Sequence, residues 1–206
     1  MPNQKPKKRM AAGERKGQIV KVAMTLFARN GFKGTTTREI ARQAGISEAV
    51  IFKYFSKKEG LYNAIIDARC NDTQGQDRLL NAMKGKKGRE VFAGIASFIV
   101  SEHRNDPSFL RLLTFSALEK HDLSEIFIKR KGLELIEFLE GHIKGLIGEG
   151  IFKDLDPAIA ARAFMGMVLH YCISQELYRM KRYFKRPDSL IVDTFVDIFF
   201  DGMRRR

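Results

Sequence analysis

The chain has 206 residues, 44% of them hydrophobic and 30% charged, with a formal net charge of +13. That is enough apolar material for one substantial core, or for a small domain joined to a larger one. The longest apolar run, Val91 to Val100, is interrupted by Gly94 and Ser97 and falls well short of the roughly 18–20 residues that cross a bilayer. No hydrophobic signal segment follows the basic start MPNQKPKKRM, so the expected compartment is the cytoplasm, with no membrane partner.

The charge is unevenly placed. Residues 1–60 carry 14 Lys and Arg against 4 Asp and Glu, whereas residues 61–206 carry 23 against 20. A localised basic field is usually spent on a polyanion, although a solubilising tail would give the same count. Residues 1–13 are expected to form a basic flexible arm, in which Lys5, Lys7, Lys8 and Arg9 either enter a minor groove or stay solvated.

Helical spacing recurs along the whole chain and no strand alternation survives, so the fold class is all-α. A first helix over 14–30 places Ile19, Ala23, Leu26, Phe27 and Asn30 at steps of three and four, and Gly31 closes it. Thr36-Thr37-Arg38-Glu39 is a capping box that opens a second helix ending at Gly45. Ser47 caps a third, running to Phe55, and Ser56-Lys57-Lys58-Glu59 is a further box that starts a fourth through Leu61, Ile65 and Ala68. The NDTQGQ and GKKG segments loosen the pattern after residue 71 and read as a connector. Helices are then expected near 89–104, 107–119, 124–148, 156–181 and 188–203, with Asp156-Pro157 as N-cap and first helical residue. GLIGEG at 145–150 reads as the end of a helix, since no strand precedes it.

Two short helices joined through Ala44-Gly45-Ile46-Ser47 have the length and turn chemistry of a helix-turn-helix, whose second helix enters the major groove. If Ile51 and Phe55 face inward, a step of 100° per residue turns Ala49 and Lys53 outward, with Val50 and Phe52 on the flanks and Tyr54 nearer the buried side. An aromatic ring held toward solvent, as Phe52 is here, needs something to lie against.

The segment TTTREIARQAGISEAVIFKYFSKKEGLY resembles the N-terminal signature of the TetR/AcrR family. The matching positions are Thr35, Thr36, Ile40, Ala41, Ala44, Gly45, Ile46, Ser47, Tyr54, Phe55, Lys58 and Leu61. The resemblance implies an N-terminal three-helix DNA-binding domain over 14–60 and a helical ligand-binding and dimerisation domain over 61–206. It implies that Thr36, Thr37, Tyr54 and Lys58 bind backbone phosphates of double-stranded operator DNA. Base reading then falls to Arg38 and to the third helix from Glu48 to Lys53, including Ala49, Val50 and Phe52, with Ser47 at its start. Hydroxyls, a lysine and helix N-termini are ordinary phosphate ligands, and arginine is the usual reader of guanine. Phe52 stands where the family commonly has tyrosine, so a sugar or thymine-methyl contact replaces a hydroxyl there. Glu48 has a plainer role available, complementing the dipole of its helix.

The functional expectation is a nucleoid-associated repressor released from a pseudo-palindromic operator by a small lipophilic effector. An architectural DNA-binding protein without small-molecule control is the alternative. Candidate ligand contacts in the larger half are Phe98, Phe115, Leu118, Met165 and Met167 as apolar lining, with Ser101, Thr114, Glu119, His142 and His170 as polar groups inside apolar stretches. Each is also readily explained as core or surface. The charge of this half is too slight to indicate an anionic head group. Cys70 and Cys172 lie far apart with no Cys-x-x-Cys spacing, and the four histidines show no metal-ligand spacing. No nucleophile elbow, Walker A loop or His-Glu-x-x-His occurs, so neither an enzyme nor a cofactor or metal site is expected. The last two helices are too broadly apolar for one seam, Ile191, Phe195 and Phe199 lying beside Val192, Val196, Phe200 and Met203. They are expected to pair with their mates in a homodimer.

Overall fold

The structure, a computed structural model, describes residues 11–71, 79–81 and 83–205. The basic arm up to residue 10 and most of the NDTQGQ connector lie outside the described residues. Among those described the chain is helical, and the one β feature is an isolated bridge between Phe152 and Arg204.

Helix α1 spans Ala12–Asn30, beginning two residues before the expected start because the Glu14 carboxylate folds back to accept the Ala11 N–H at 3.0 Å. Its end is forced by Gly31, whose φ of 74° and ψ of 173° lie in a region open essentially to glycine alone. Helix α2 spans Thr37–Ala44, with the Thr36 hydroxyl accepting the Glu39 N–H at 3.1 Å. The reciprocal half of the expected box is absent: Glu39 instead accepts from the Asn30 amide at 3.5 Å. Gly45 is left-handed at φ 67°, and the Ile46 N–H returns to the Ala41 carbonyl at 3.0 Å, which satisfies the carbonyl end of α2 and sets the turn. Helix α3 spans Glu48–Tyr54. Ser47 is its N-cap by position but makes no side-chain capping bond. Helix α4 spans Lys58–Asn71, one residue later than a Ser56 capping box would start it.

The larger half begins with α5, Arg89–Asn105, and α6, Ser108–Leu118. Helix α7 consists of Leu123–Phe127, a π-helical turn over Ile128–Gly132, and Leu133–Gly148, where sequence spacing predicts one uninterrupted helix over 124–148. Helix α8 spans Pro157–Glu176, and the Asp156 carboxylate caps it through the N–H groups of Ala158 at 2.9 Å and Ile159 at 3.0 Å. It stops five residues short of the expected end. Arg179 turns left-handed at φ 61° and a single 3-10 turn follows at Met180–Arg182. Helix α9 spans Asp188–Met203.

Two cores result. The larger is centred on Phe92, whose ring meets those of Phe152, Phe164, Phe199 and Phe200. The smaller gathers Ile19, Phe27, Ile40, Ile51, Phe55, Tyr62, Ile65 and Ile66, and also takes in Phe109, Leu112 and Leu123 from α6 and α7. Ile65 and Ile66 therefore pack inside the N-terminal core, not beyond it, and the helices of the larger half complete that core.

Candidate functional site

The turn from α2 to α3 rests on Ala41, Ala44 and Ile51, all buried, with the Gln18 amide donating to the Ala44 carbonyl at 3.2 Å. Burial of Ile51 and Phe55 rotates the opposite face of α3 outward. Ala49 and Lys53 are exposed, Val50 and Tyr54 are half-buried, and Phe52 is 49% exposed. Arg38 and Thr36 are exposed on the neighbouring start of α2. Ala49, Phe52 and Lys53 thus form a short convex ridge left exposed by the described residues, flanked by hydroxyl and guanidinium donors.

Thr37, Glu48 and Lys58, three of the expected contact residues, turn their polar heads to partners within the chain. The Thr37 hydroxyl donates to the Glu48 carboxylate, which joins the first turns of α2 and α3, so its proton is directed inward. Lys58 donates to the Phe32 carbonyl at 2.9 Å and the Thr35 carbonyl at 3.0 Å, with its ammonium 4.1 Å from the Phe32 ring centre. It is therefore also a clamp on the loop between α1 and α2. Thr36, by contrast, uses only an acceptor lone pair in its capping bond, which leaves its hydroxyl proton available.

That loop is gripped from the other side by the larger half. Glu119, at the end of α6, accepts the Phe32 N–H at 3.0 Å and the Lys33 N–H at 3.4 Å. The Phe32 ring meets Tyr62 edge-on at 4.5 Å and His121 at a tilt at 4.7 Å. Burial first, and then the Glu119 charge, hold the Tyr62 phenol well above its ordinary pKa. Helix α4 is tied in as well, through Arg69 to Asp106 at 3.2 Å and Asp67 to Arg130 at 2.8 Å. Glu119, a candidate ligand contact by sequence, is in the structure a joint between the two halves.

The other candidate ligand residues do not converge. Thr114, Phe115 and Leu118 line a cleft of about 230 Å³ near Arg29 and Arg111, and Leu118 is 76% exposed. The Thr114 hydroxyl is spent on its own helix, at the Leu110 carbonyl. Ser101 is exposed and bonds the Phe98 carbonyl at 3.0 Å, while Phe98 packs against the larger core and Met165 is buried in it. Met167 lines an apolar cleft of about 500 Å³ between α8 and α9. His170 is exposed, 3.2 Å from Ser174, and His142 contacts the Gly88 carbonyl at 3.2 Å.

A recess that sequence reading missed lies between α5, α8 and the segment joining α8 to α9. It measures about 330 Å³ and is lined by Val100, His103, Tyr171, Cys172, Gln175 and Phe184. Arg104, Lys181, Lys185 and Arg186 ring it, with Glu176 the single acid. The near-balance of charge over residues 61–206 concealed this local positive cluster; the run YRMKRYFKR at 178–186 was the available signal. Among the described residues no group of His, Cys, Asp and Glu could hold a metal ion, and no helix is long and apolar enough to cross a membrane.

An exposed ridge on the second of two short helices, set by a left-handed glycine turn and flanked by a basic surface, defines a helix-turn-helix DNA-binding protein. Residues 19–65 match the family described as bacterial regulatory proteins, tetR family, so the helix-turn-helix unit is similar to the DNA-binding domain of that family. The chain is 25% identical over 190 residues to YvkB, an uncharacterized HTH-type transcriptional regulator of Bacillus subtilis, covering 90% of this chain and 95% of that one. It is 24% identical over 201 residues to the nucleoid occlusion factor SlmA of Actinobacillus pleuropneumoniae, covering 92% and 96%. The fold is shared with AibR, solved in complex with isovaleryl coenzyme A and operator DNA, at a TM-score of 0.70 and 22% identity over 90% of this chain and 98% of that one.

Proposed function

We propose that the protein is a transcriptional repressor that binds a pseudo-palindromic operator as a homodimer and leaves it when a small effector occupies the helical domain. The observation that carries this reading is the outward ridge of α3, Ala49, Phe52 and Lys53, beside Arg38 and the uncommitted Thr36 hydroxyl. Arg38, Val50 and Phe52 supply base contacts, while Thr36, Ser47, Lys53 and Tyr54 hold phosphates. Thr37, Glu48 and Lys58 chiefly hold the reading unit in shape, Lys58 retaining one N–H for a phosphate.

The dimer places two reading helices about 34–36 Å apart, one per major-groove face. Its interface is the outer face of α8 and α9. Ile159 is 68% exposed and Ile198 60% exposed, and Ala163, Gly166, Leu190 and Gly202 are exposed beside them. Bare glycines and alanine let a second copy approach closely, and a two-fold axis makes one patch serve both subunits. Phe199, expected in this interface, is buried in the protomer's own core; the face is turned from it toward Ile198. The AibR complex, which holds isovaleryl coenzyme A together with operator DNA, supports ligand control of this kind in a protein of the same fold.

Binding-site selection from random duplexes tests the reading. An enriched palindrome, bound more tightly than random DNA and lost on Arg38→Ala, is expected, and Lys53→Ala should flatten the salt slope by about one unit. Equal affinity for every sequence would overturn it in favour of an architectural protein.

A further inference from the structure

We infer that the recess beneath residues 177–187 is the effector site, and that its ligand is a compact amphiphile with a carboxylate or phosphate head. This rests on the regulator reading above and assigns it a place and a chemistry.

Four observations converge. The recess, at about 330 Å³, falls at the lower end of the range for small-molecule sites. Its inner walls are apolar, from Val100, Tyr171, Cys172 and Phe184. Its rim is cationic, and the one acid there, Glu176, is already held by Lys181 at 2.6 Å. Lys185 and Arg186 therefore present excess positive charge to whatever enters, and Arg104 adds a guanidinium shared with Asp188. Lastly, Gln175 is only 8% exposed and lines the recess, yet its Oε1 has no hydrogen-bond partner among the described residues. Its amide nitrogen reaches the Phe184 carbonyl at 3.4 Å. A buried acceptor left empty is costly, and a ligand N–H or O–H would fill it.

The cover is lightly fastened. The Gln175 bond and the Lys181–Glu176 pair hold residues 181–184 against α8, while Tyr183 stands 82% exposed. Occupancy also has routes outward. Arg104 is ion-paired with Asp188, the first residue of α9, so a bound anion competes with the dimer helix for the same guanidinium. Arg111 of α6 donates to the Glu176 carbonyl at 2.9 Å, and α6 ends at the Glu119 joint. An anionic head thus draws on contacts that lead to the dimer face and to the DNA-reading half.

Four probes test the assignment by calorimetry and thermal shift: octyl phosphate, octanoate, octanoyl-CoA and 1-octanol. At least one anionic probe should bind and raise the melting temperature, with 1-octanol at least tenfold weaker. Whether octanoate or the phosphate-bearing probes bind best distinguishes the two head groups. The exposed double substitution Lys185→Glu with Arg186→Glu should weaken the anionic probe at least tenfold while leaving the probe-free melting curve in place. Gln175→Leu should weaken octanoyl-CoA, which carries amide N–H groups, more than octyl phosphate. Equal binding of 1-octanol, no binding by any probe, or indifference to the charge reversal would overturn the site. Tight anion binding without release of a selected operator would overturn its role as the effector site. Failure of the probe-free protein to select any operator would instead strike the regulator reading and leave the binding site standing.

Discussion

Replacing Gly31 with Ala should uncouple the two halves of the protein, and the structure sets the size of the effect. Gly31 sits at φ 74° and ψ 173°, where a residue with a Cβ incurs about 1–3 kcal/mol of backbone strain. The new Cβ would also lie 2.5 Å from Glu119 Oε1 and 3.4 Å from the Phe115 ring. The carboxylate is the end of a flexible side chain and can retreat, but retreat abandons the Phe32 and Lys33 N–H groups. The shorter of those charge-assisted bonds is worth roughly 1.5–3 kcal/mol, toward the lower end because Glu119 is partly exposed. The total is about 2.5–5 kcal/mol, or roughly 5–20 °C in melting temperature for a chain of this size. A double-mutant cycle separates the two parts, since in a Glu119→Ala background the clash is already gone and only backbone strain remains. Gly31→Ala should therefore cost about 1.5–2 kcal/mol less in that background, read by denaturant unfolding. Additive costs would show that Glu119 and the loop are independent, and the joint would not exist.

Charged substitution at Ile198 or Ile159 should give folded monomers by analytical ultracentrifugation, with weak operator binding, whereas Phe199→Asp should fail to fold; a dimeric Ile198→Asp variant would place the interface elsewhere. Burial first, and then the Arg69 charge, lower the His103 pKa below its ordinary 6.5. The unfolded chain then binds this proton at higher pH than the folded one, so stability is full above about pH 6.5 and declines as pH falls from there toward the folded value. His103→Gln should flatten that part of the pH–stability curve, and an unchanged slope would refute the assignment. Cys172 is pushed up to about 12 by burial and by the charges of Glu176 and Asp188, so in a Cys70→Ser background it should resist thiol reagents at pH 8 until the protein is unfolded. Rapid labelling of the folded protein would show that the recess opens wide without ligand.

The DNA-reading unit was legible because it is local. Its turn needs one left-handed residue at Gly45, and its ridge follows from two buried positions four residues apart, Ile51 and Phe55. The ends of helices with explicit signals, Gly31, Thr36 and Asp156-Pro157, fell within two residues of expectation. The joint was not legible, since Glu119 meets Phe32 and Lys33 from more than eighty positions away and nothing in its own neighbourhood marks it. Helical periodicity over Ile159–Ile173 identified excess apolar surface without saying which residues were surplus. Phe164 and Val168 went to the core, whereas Ile159 stayed outside. The recess depended on where α8 stopped: extending that helix to 181 would have carried Lys181 along its axis and left Phe184 and Arg186 beyond its end, whereas the turn at Arg179 brings all three to the recess beside Gln175.

The clamps on the loop after α1 share one property. Glu119 and Lys58 take hold of main-chain atoms, the N–H groups of Phe32 and Lys33 and the carbonyls of Phe32 and Thr35, and every residue other than proline offers such atoms. The outward residues of α3 take no part in this grip. A lineage can therefore rewrite Ala49, Val50, Phe52 and Lys53 to follow a drifting operator while the linkage that reports effector occupancy stays as it was. Changes around the recess can likewise retune the signal without touching the address.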